Sequence, residues 1–547
     1  MLRRSIAIAL AAALVAGACG GSDGKSRGEG GPTLVVAQSF EPATLDPALS
    51  NNVITYNLVR PVMETLVTVE RGGTEVVPLL ATSWEVSPDG RSWLFRLRDD
   101  VRFHDGTPFD AAAVCANFER WYRFSGILQR LASSWNEFFG RFAGQHGAGP
   151  PGESLYQSCE ARAEHEVVVN LTRKAGGLLP ALAVPAFGIA SPTALRRYEA
   201  DKVSGTADSP RFEGSYGSAH LVGTGPLRLE RWDRSDKVVL ARNRDYWGPK
   251  SQLDRVIIRR IDDRAARRQA LQSGEIDGYW PVAAADIAAL ERDRFRVHEL
   301  PNFTLGYLNF NLTRPPLDNL QIRRAVAHAL DRETLVRAKY PPSAMVASEV
   351  VPPNLWGHAP DVTVYRHDPQ LARQLIAESG VAQPKVELWY PTGFTDGTPP
   401  LPDPEGIALS LKADLEEAGF SVIAKPALWA PDFFEAVSSG KVQMFLDELF
   451  AFRVDPDALF DQFARRYETG TFGPLDADLR AVLDAAADEI DQAERARQYE
   501  QANRIVADRV LLVPFVHAQA ALAYSREVVG YQPGPIFWEG LFDVRLD

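Results

Sequence analysis

Between residues 33 and 517, short apolar runs with the two-residue period of strands repeatedly give way to longer runs of helical period. "TLVVAQS" (33–39), "HEVVVNLT" (165–172), "DRVIIRRI" (254–261), "TLGYLNFNL" (304–312) and "KVELWYP" (385–391) read as strands. "TYNLVRPVMETLVTV" (55–69), "PFDAAAVCANFERWYRF" (108–124) and "NLQIRRAVAHALDRETLVRA" (319–338) read as helices. "DRAARRQALQSGEIDGYW" (263–280) reads as a helix running into a turn and strand, and "GIALSLKADLEEAGFSVIAKPA" (406–427) and "KVQMFLDELF" (441–450) continue the alternation. The stretch 83–106 reads as a β-meander, because "SPDG" is a turn and "WLFRLR" alternates apolar with basic. Such alternation predicts α/β lobes whose sheets are largely covered. A chain of 547 residues exceeds one hydrophobic core, so two or three domains are expected.

The net charge of −12 and the absence of any Lys/Arg-rich run argue against a nucleic-acid partner. At the N-terminus, Arg3 and Arg4 precede the apolar run "IAIALAAALVAGA" (6–18). At about 1.5 Å per residue that run falls short of a bilayer core of about 30 Å, and it fits the apolar region of a signal peptide. "AGAC" then resembles the lipobox of bacterial lipoproteins, with Ala16 where that motif usually has Leu. The resemblance implies that residues 1–18 are removed and that Cys19 carries lipid on the outer face of the cell membrane. Residues 19–32, rich in Gly and Ser, would form a flexible tether. Two cysteines remain, Cys115 and Cys159. Outside the cytoplasm such a pair often forms a disulfide; two buried free thiols are the alternative.

A broader resemblance rests on "ATSWEVSPDGRSWLFRLRDDVRFHDGTPFDAAAV" (81–114). Three later blocks agree in order and spacing: "GTGPLRLERW…NRDYWG", "GEIDGYW" and "YLNFNLTRPPLDNLQIRRAVAHALDRETLV". "DPDALF" (455–460) adds an acidic–Pro turn. Together they resemble family 5 of the extracytoplasmic solute-binding proteins, which serve peptide, dipeptide and nickel ABC importers. The resemblance implies a two-lobed periplasmic-binding-protein-like fold, the large three-domain variant of type II. Lobe I would hold 33–65, 215–300 and 512–547, an inserted subdomain 66–214, and lobe II 301–511. The hinge would cross near 301–304 and near 513–515, and its closure would bury the ligand.

The resemblance also places the ligand pocket. In peptide-binding relatives an aspartate shortly before the acidic–Pro pair receives the peptide's α-ammonium group, since a buried cation needs a paired anion. Here that position is Phe452, followed by Arg453. The exchange disfavours free-amine peptides and favours a solute with apolar or aromatic parts and an acidic group. Matching positions add Asn51, Val53, Trp429 and Phe450 to the expected ligand-binding residues.

No catalytic set assembles from the residues. His104-Asp105-Gly106 reads as a structural turn, and Asp99-Asp100 and Asp262-Asp263 as turn or cap residues. No HExxH, CxxC, GxSxG or phosphate-binding loop occurs, so neither a metal nor a cofactor is expected. The expected protein is a monomeric, non-enzymatic receptor that hands a peptide or other small solute to ABC permease subunits served by a separate ATPase. A sensor or chaperone of the same fold, and a lipid-anchored hydrolase, are the alternatives.

Overall fold

A computed structural model describes residues 31–547, apart from 51, 146–152, 394–397, 469, 537–540 and 542. Cys19 and Asn51 therefore lie outside the described residues, as do the signal segment, nearly all of the tether and the middle of the loop 140–154.

Thr33–Gln38 sits within a seven-stranded first sheet, parallel to Arg255–Arg260 on one side and to Gly278–Trp280 on the other. Lys237–Arg242 and Leu227–Asp233 extend one edge, and Ala520–Tyr524 and Arg296–Leu300 the other, all antiparallel. A strand paired in parallel on both sides is covered above and below, which is why "LVVA" is apolar throughout. Ile54, Leu58 and Val59 of the helix Val53–Val59 pack on one face with Leu34, Val36 and Leu240. The helices Arg264–Ser273 and Ala284–Arg292 cover the other through Leu271, Ile287 and Leu290, against Ala37 and Ala523.

The second sheet has six strands in the order Met345–Val346, Leu512–His517, Thr304–Phe310, Met444–Phe450, Lys385–Thr392 and Ser421–Leu428. Lys385–Thr392 and Ser421–Leu428 are parallel and joined through the helix Pro404–Glu417, a βαβ unit. Met444 and Leu446 face Ile407 and Leu411 on one side. Phe445 and Leu449 face the other, whose core includes Phe460 and Tyr499. A third, four-stranded antiparallel sheet lies within 66–214, built from Ala81–Val86, Ser92–Leu97, Glu166–Leu171 and Tyr156–Ala163. The helix Ala111–Tyr122, capped by the Asp110 carboxylate at 2.7 Å from Ala113 N, packs on it. A disulfide between Cys115 and Cys159 ties that helix to the sheet. Trp93 and Phe95 of this sheet share one apolar cluster with Phe445 and Phe460.

Two expectations need correction. The stretch 55–69 is not one helix: the helix ends at Val59, before Pro61, and Val67–Val69 is a strand paired with Val76–Pro78. Arg60 still has helical backbone, but Pro61 has no N–H to carry the helical ladder further, and the β-branched run after it suits a strand. The second crossing between sheets does not fall near 513–515. Leu512–His517 is antiparallel to Thr304–Phe310 in the second sheet, so the chain re-enters the first sheet only at Ala520. The run 511–518 is buried throughout, so no polar break marks the change of sheet until half-buried Gln519.

The two crossings, 301–303 and 518–519, lie side by side. Thr304 Oγ1 donates to Ala518 O at 2.6 Å and accepts from Ala518 N at 3.2 Å. Asn302 Oδ1 accepts from Ala520 N at 3.1 Å, and buried His517 Nδ1 lies 2.8 Å from Thr304 O.

Candidate functional site: the cavity between the two sheets

Beside the crossings lies a cavity of about 460 Å³, within the size range of small-molecule sites. From the side of the first sheet, Val53, Trp280 and the alanines 283–285 line it. From the side of the second, Lys339, Thr398, Asp403, Phe450 and Phe452 do so. Gln519, in the second crossing, also reaches it.

The aromatic wall follows from strand geometry. Phe450 ends the strand Met444–Phe450, opposite Thr304, and Phe452 follows two residues on. Their rings are nearly parallel, 7° apart in plane with centroids 6.3 Å apart. Gln462 of the helix Asp457–Glu468 fixes the backbone there, donating through Nε2 to Phe450 O and Ala458 O, each at 2.6 Å. The turn that follows is held by Asp455, whose fully buried carboxylate accepts two bonds from Arg495, at 2.6 and 3.0 Å, and one from Asp457 N. Val53 opens its helix because the Asn52 side chain caps Ile54 N at 2.8 Å.

Of the expected ligand residues, Val53, Phe450 and Phe452 thus share one cavity. Arg453 lines a smaller one of about 60 Å³, with Phe452, Tyr56, Phe138 and Asp461. Its guanidinium is committed within the protein: Nε donates to Asp457 at 2.9 Å and a terminal nitrogen to Asp461 at 3.1 Å. Trp429 lines neither cavity; its ring stacks at 5.9 Å on Phe433 and lies 4.5 Å from Phe434.

Charge in the larger cavity comes from residues that the sequence reading passed over. Lys339 Nζ donates to Asp403 at 2.9 Å, and Asp403 also caps Gly406 N at 3.0 Å. Burial pushes Asp403 up, but these two bonds outweigh it and leave its pKa lowered. Arg264 lines the opposite wall. Behind Thr398, which donates to it, Glu448 is pushed up to about 8, by burial and then by the neighbouring Asp447.

The residues read as structural have structural partners. His104 Nε2 lies 2.9 Å from Gly225 O, and burial pushes the ring down to about 4. Asp105 accepts from Ser191 Oγ at 2.6 Å, Asp100 pairs with Arg98, Asp262 pairs with Arg260, and Asp263 caps Ala266 N. Among the described residues no group of three or more His, Cys, Asp or Glu is placed to hold a metal ion, and no helix is long and apolar enough to cross a membrane.

Residues 75–471 match the family described as "Bacterial extracellular solute-binding proteins, family 5 Middle". The chain belongs to this family. It is 26% identical over 521 residues to the dipeptide-binding protein of Escherichia coli (strain K12), covering 92% of each chain. It is 25% identical over 533 residues to heme-binding protein A of Haemophilus influenzae, covering 94% of this chain and 92% of the relative. Among solved structures it resembles an ABC transporter-associated periplasmic binding protein from Helicobacter pylori in complex with a peptide. That match has a TM-score of 0.75 at 25% identity, over 94% of this chain and 98% of the other. This family 5 protein is therefore a substrate-binding protein by descent. Its relatives' names, dipeptide and heme, show that descent does not fix the solute.

Two signals for the missed residues were present in the sequence. Trp280 ends the quoted block "GEIDGYW", and Lys339 lies one residue beyond the helical run 319–338. Neither the end of a strand nor the end of a helix reveals by period that two lobes meet there.

Proposed function

We propose that this family 5 protein is the lipid-anchored extracytoplasmic receptor of an ABC importer. It captures an organic solute with an apolar or aromatic body between its lobes and passes it to permease subunits powered by a separate ATPase. The observation that carries this reading is the parallel Phe450–Phe452 pair in the wall of a cavity of about 460 Å³ between the two sheets. Planar apolar surface suits such a wall, and burying it there supplies the affinity. A solute touching both lobes favours the closed form, because only that form makes both sets of contacts. Cys19, acylated, would keep the receptor beside the permease.

The test is native mass spectrometry of the full chain purified from its own host without denaturation. One discrete co-purified mass is expected, and it is lost in Phe452→Asp. A broad spread of masses would mark a peptide pool and overturn the reading of Phe452.

A further inference from the structure

The whole chain carries a net charge of −12, yet the described charged residues lining the interlobe cavity are two cations and one carboxylate: Arg264, Lys339 and Asp403. The layer behind does not reverse this. Asp286, itself 5% exposed, accepts from Arg264 Nε at 2.9 Å and from Arg268 at 2.7 Å, so one carboxylate serves two guanidiniums. Among the described residues Lys339 is matched by Asp403 alone, at 2.9 Å. Among the described residues, three cations thus stand against two carboxylates. The terminal nitrogens of Arg264 make no hydrogen bond to a described residue, although they belong to a half-buried side chain on the cavity wall. Glu448 behind Thr398 does not supply the missing charge, since burial holds it largely protonated at neutral pH. The start of the helix Ala284–Arg292 borders the same cavity at 283–285 without a side-chain cap, which adds a partial positive charge.

We infer that the cavity takes a solute with a carboxylate or similar acidic group, received by Arg264 from the first lobe and Lys339 from the second. This rests on reading the cavity as the solute site. It moves the cationic contact from Arg453, whose guanidinium is already paired with Asp457 and Asp461, to residues of both lobes. An acid held by both would itself bridge the cleft. A guanidinium fork fits a carboxylate, and the lysine adds a second, point-like charge.

The test uses three probes on the full chain freed of carried-over solute, by titration calorimetry at low salt. They are N-benzoylglycine, its neutral amide, and glycylphenylalanine, which has a free amine. N-benzoylglycine is expected to bind at least about tenfold tighter than the amide, about 1.4 kcal/mol. Arg264→Gln and Lys339→Gln should each reduce that preference to about threefold or less, with amide binding showing that the cavity is intact. Arg264→Lys, which keeps the charge, should restore part of it, while the neutral amide should bind all of these variants alike, which a collapsed cavity would not allow. Equal binding of acid and amide, tightest binding of glycylphenylalanine, binding of none of the three, or an undiminished preference in Arg264→Gln would each overturn the inference. A neutral solute carried by the native protein and lost in Phe452→Asp would also overturn it, while leaving the receptor reading in place.

Discussion

The turn that presents Phe452 and Arg453 to their cavities depends on one buried ion pair, so Asp455→Asn is the perturbation to make. Asp455 is 0% exposed and Arg495 3%. Burial pushes the Asp455 carboxyl up to about 7 against the pull of Arg495, so the experiment belongs at pH 8, where the carboxylate is charged. Removing one partner of a buried pair strands the other charge and costs about 3–5 kcal/mol. Asparagine keeps the acceptor for Asp457 N, and the Asp457 carboxylate remains 4.0 Å from Arg495, so the lower end, about 3 kcal/mol, is expected. Arg495→Met alone strands Asp455 and should cost a similar amount. The double variant strands neither charge, and replacing a buried pair by neutral groups is often close to neutral. Its main loss is the bond from Arg495 Nε to Ala486 O at 3.0 Å, about 1 kcal/mol. The coupling between the two sites is therefore several kcal/mol and strongly non-additive. Urea unfolding followed by tryptophan fluorescence, at unchanged slope, reads it out. A cost for Asp455→Asn below about 1 kcal/mol, or additivity in the double variant, would show that the pair behaves like an exposed one and that something else holds the turn.

Glu64 offers a test by pH. It is buried and accepts from Tyr246 at 2.6 Å, Thr224 at 2.7 Å and Trp247 at 3.0 Å; burial nevertheless pushes it up from 4.5 to about 7. Between those values the folded chain holds a proton that the unfolded chain releases, so this contribution is full below 4.5 and is lost as pH rises through about 7. From pH 5 to pH 8 the wild type should lose about 3 kcal/mol relative to Glu64→Gln, and parallel stability curves would refute this. The disulfide closes 44 residues, and its loss in Cys115→Ser/Cys159→Ser should destabilise the segment 66–214 by about 4 kcal/mol on the chain-entropy estimate. An unchanged thermal midpoint under reductant would refute that.

The layered α/β character was legible because periods of two and of about 3.6 are written into runs such as "LVVA" and "RRAVAHAL". That Phe450 and Phe452 line the cavity agrees with the resemblance, which reaches them by counting back from the acidic–Pro turn. The second crossing was not, because a strand buried in one sheet and a strand buried in the next carry the same apolar pattern. Arg453 was assigned to the site by position alone. Charge in a sequence does not reveal its partner, and here both partners lie one and two helical turns ahead, at Asp457 and Asp461. Arg264 and Lys339 escaped notice for the opposite reason. Each is one more basic residue on an amphipathic helix until the two lobes are set face to face.

On the proposed function, the placement of the crossings explains how a solute in this cavity would control the whole molecule. Among the described strands, only 301–303 and 518–519 connect the two sheets, and Thr304 and Asn302 bond them to each other across neighbouring backbone. That stitching keeps both strands in step, so the sheets can rotate as units about one line rather than shear apart. Phe450 pairs with Thr304 at one crossing and Gln519 belongs to the other, and both border the cavity. These two wall residues are therefore anchored beside the crossings. Trp280 and Lys339 line the cavity from separate lobes, so hinge closure would change the distance between them. A solute seated on the Phe450–Phe452 wall can bind first and gain its remaining contacts only as the lobes meet. On that proposed reading, affinity for the solute and closure of the receptor are the same free energy.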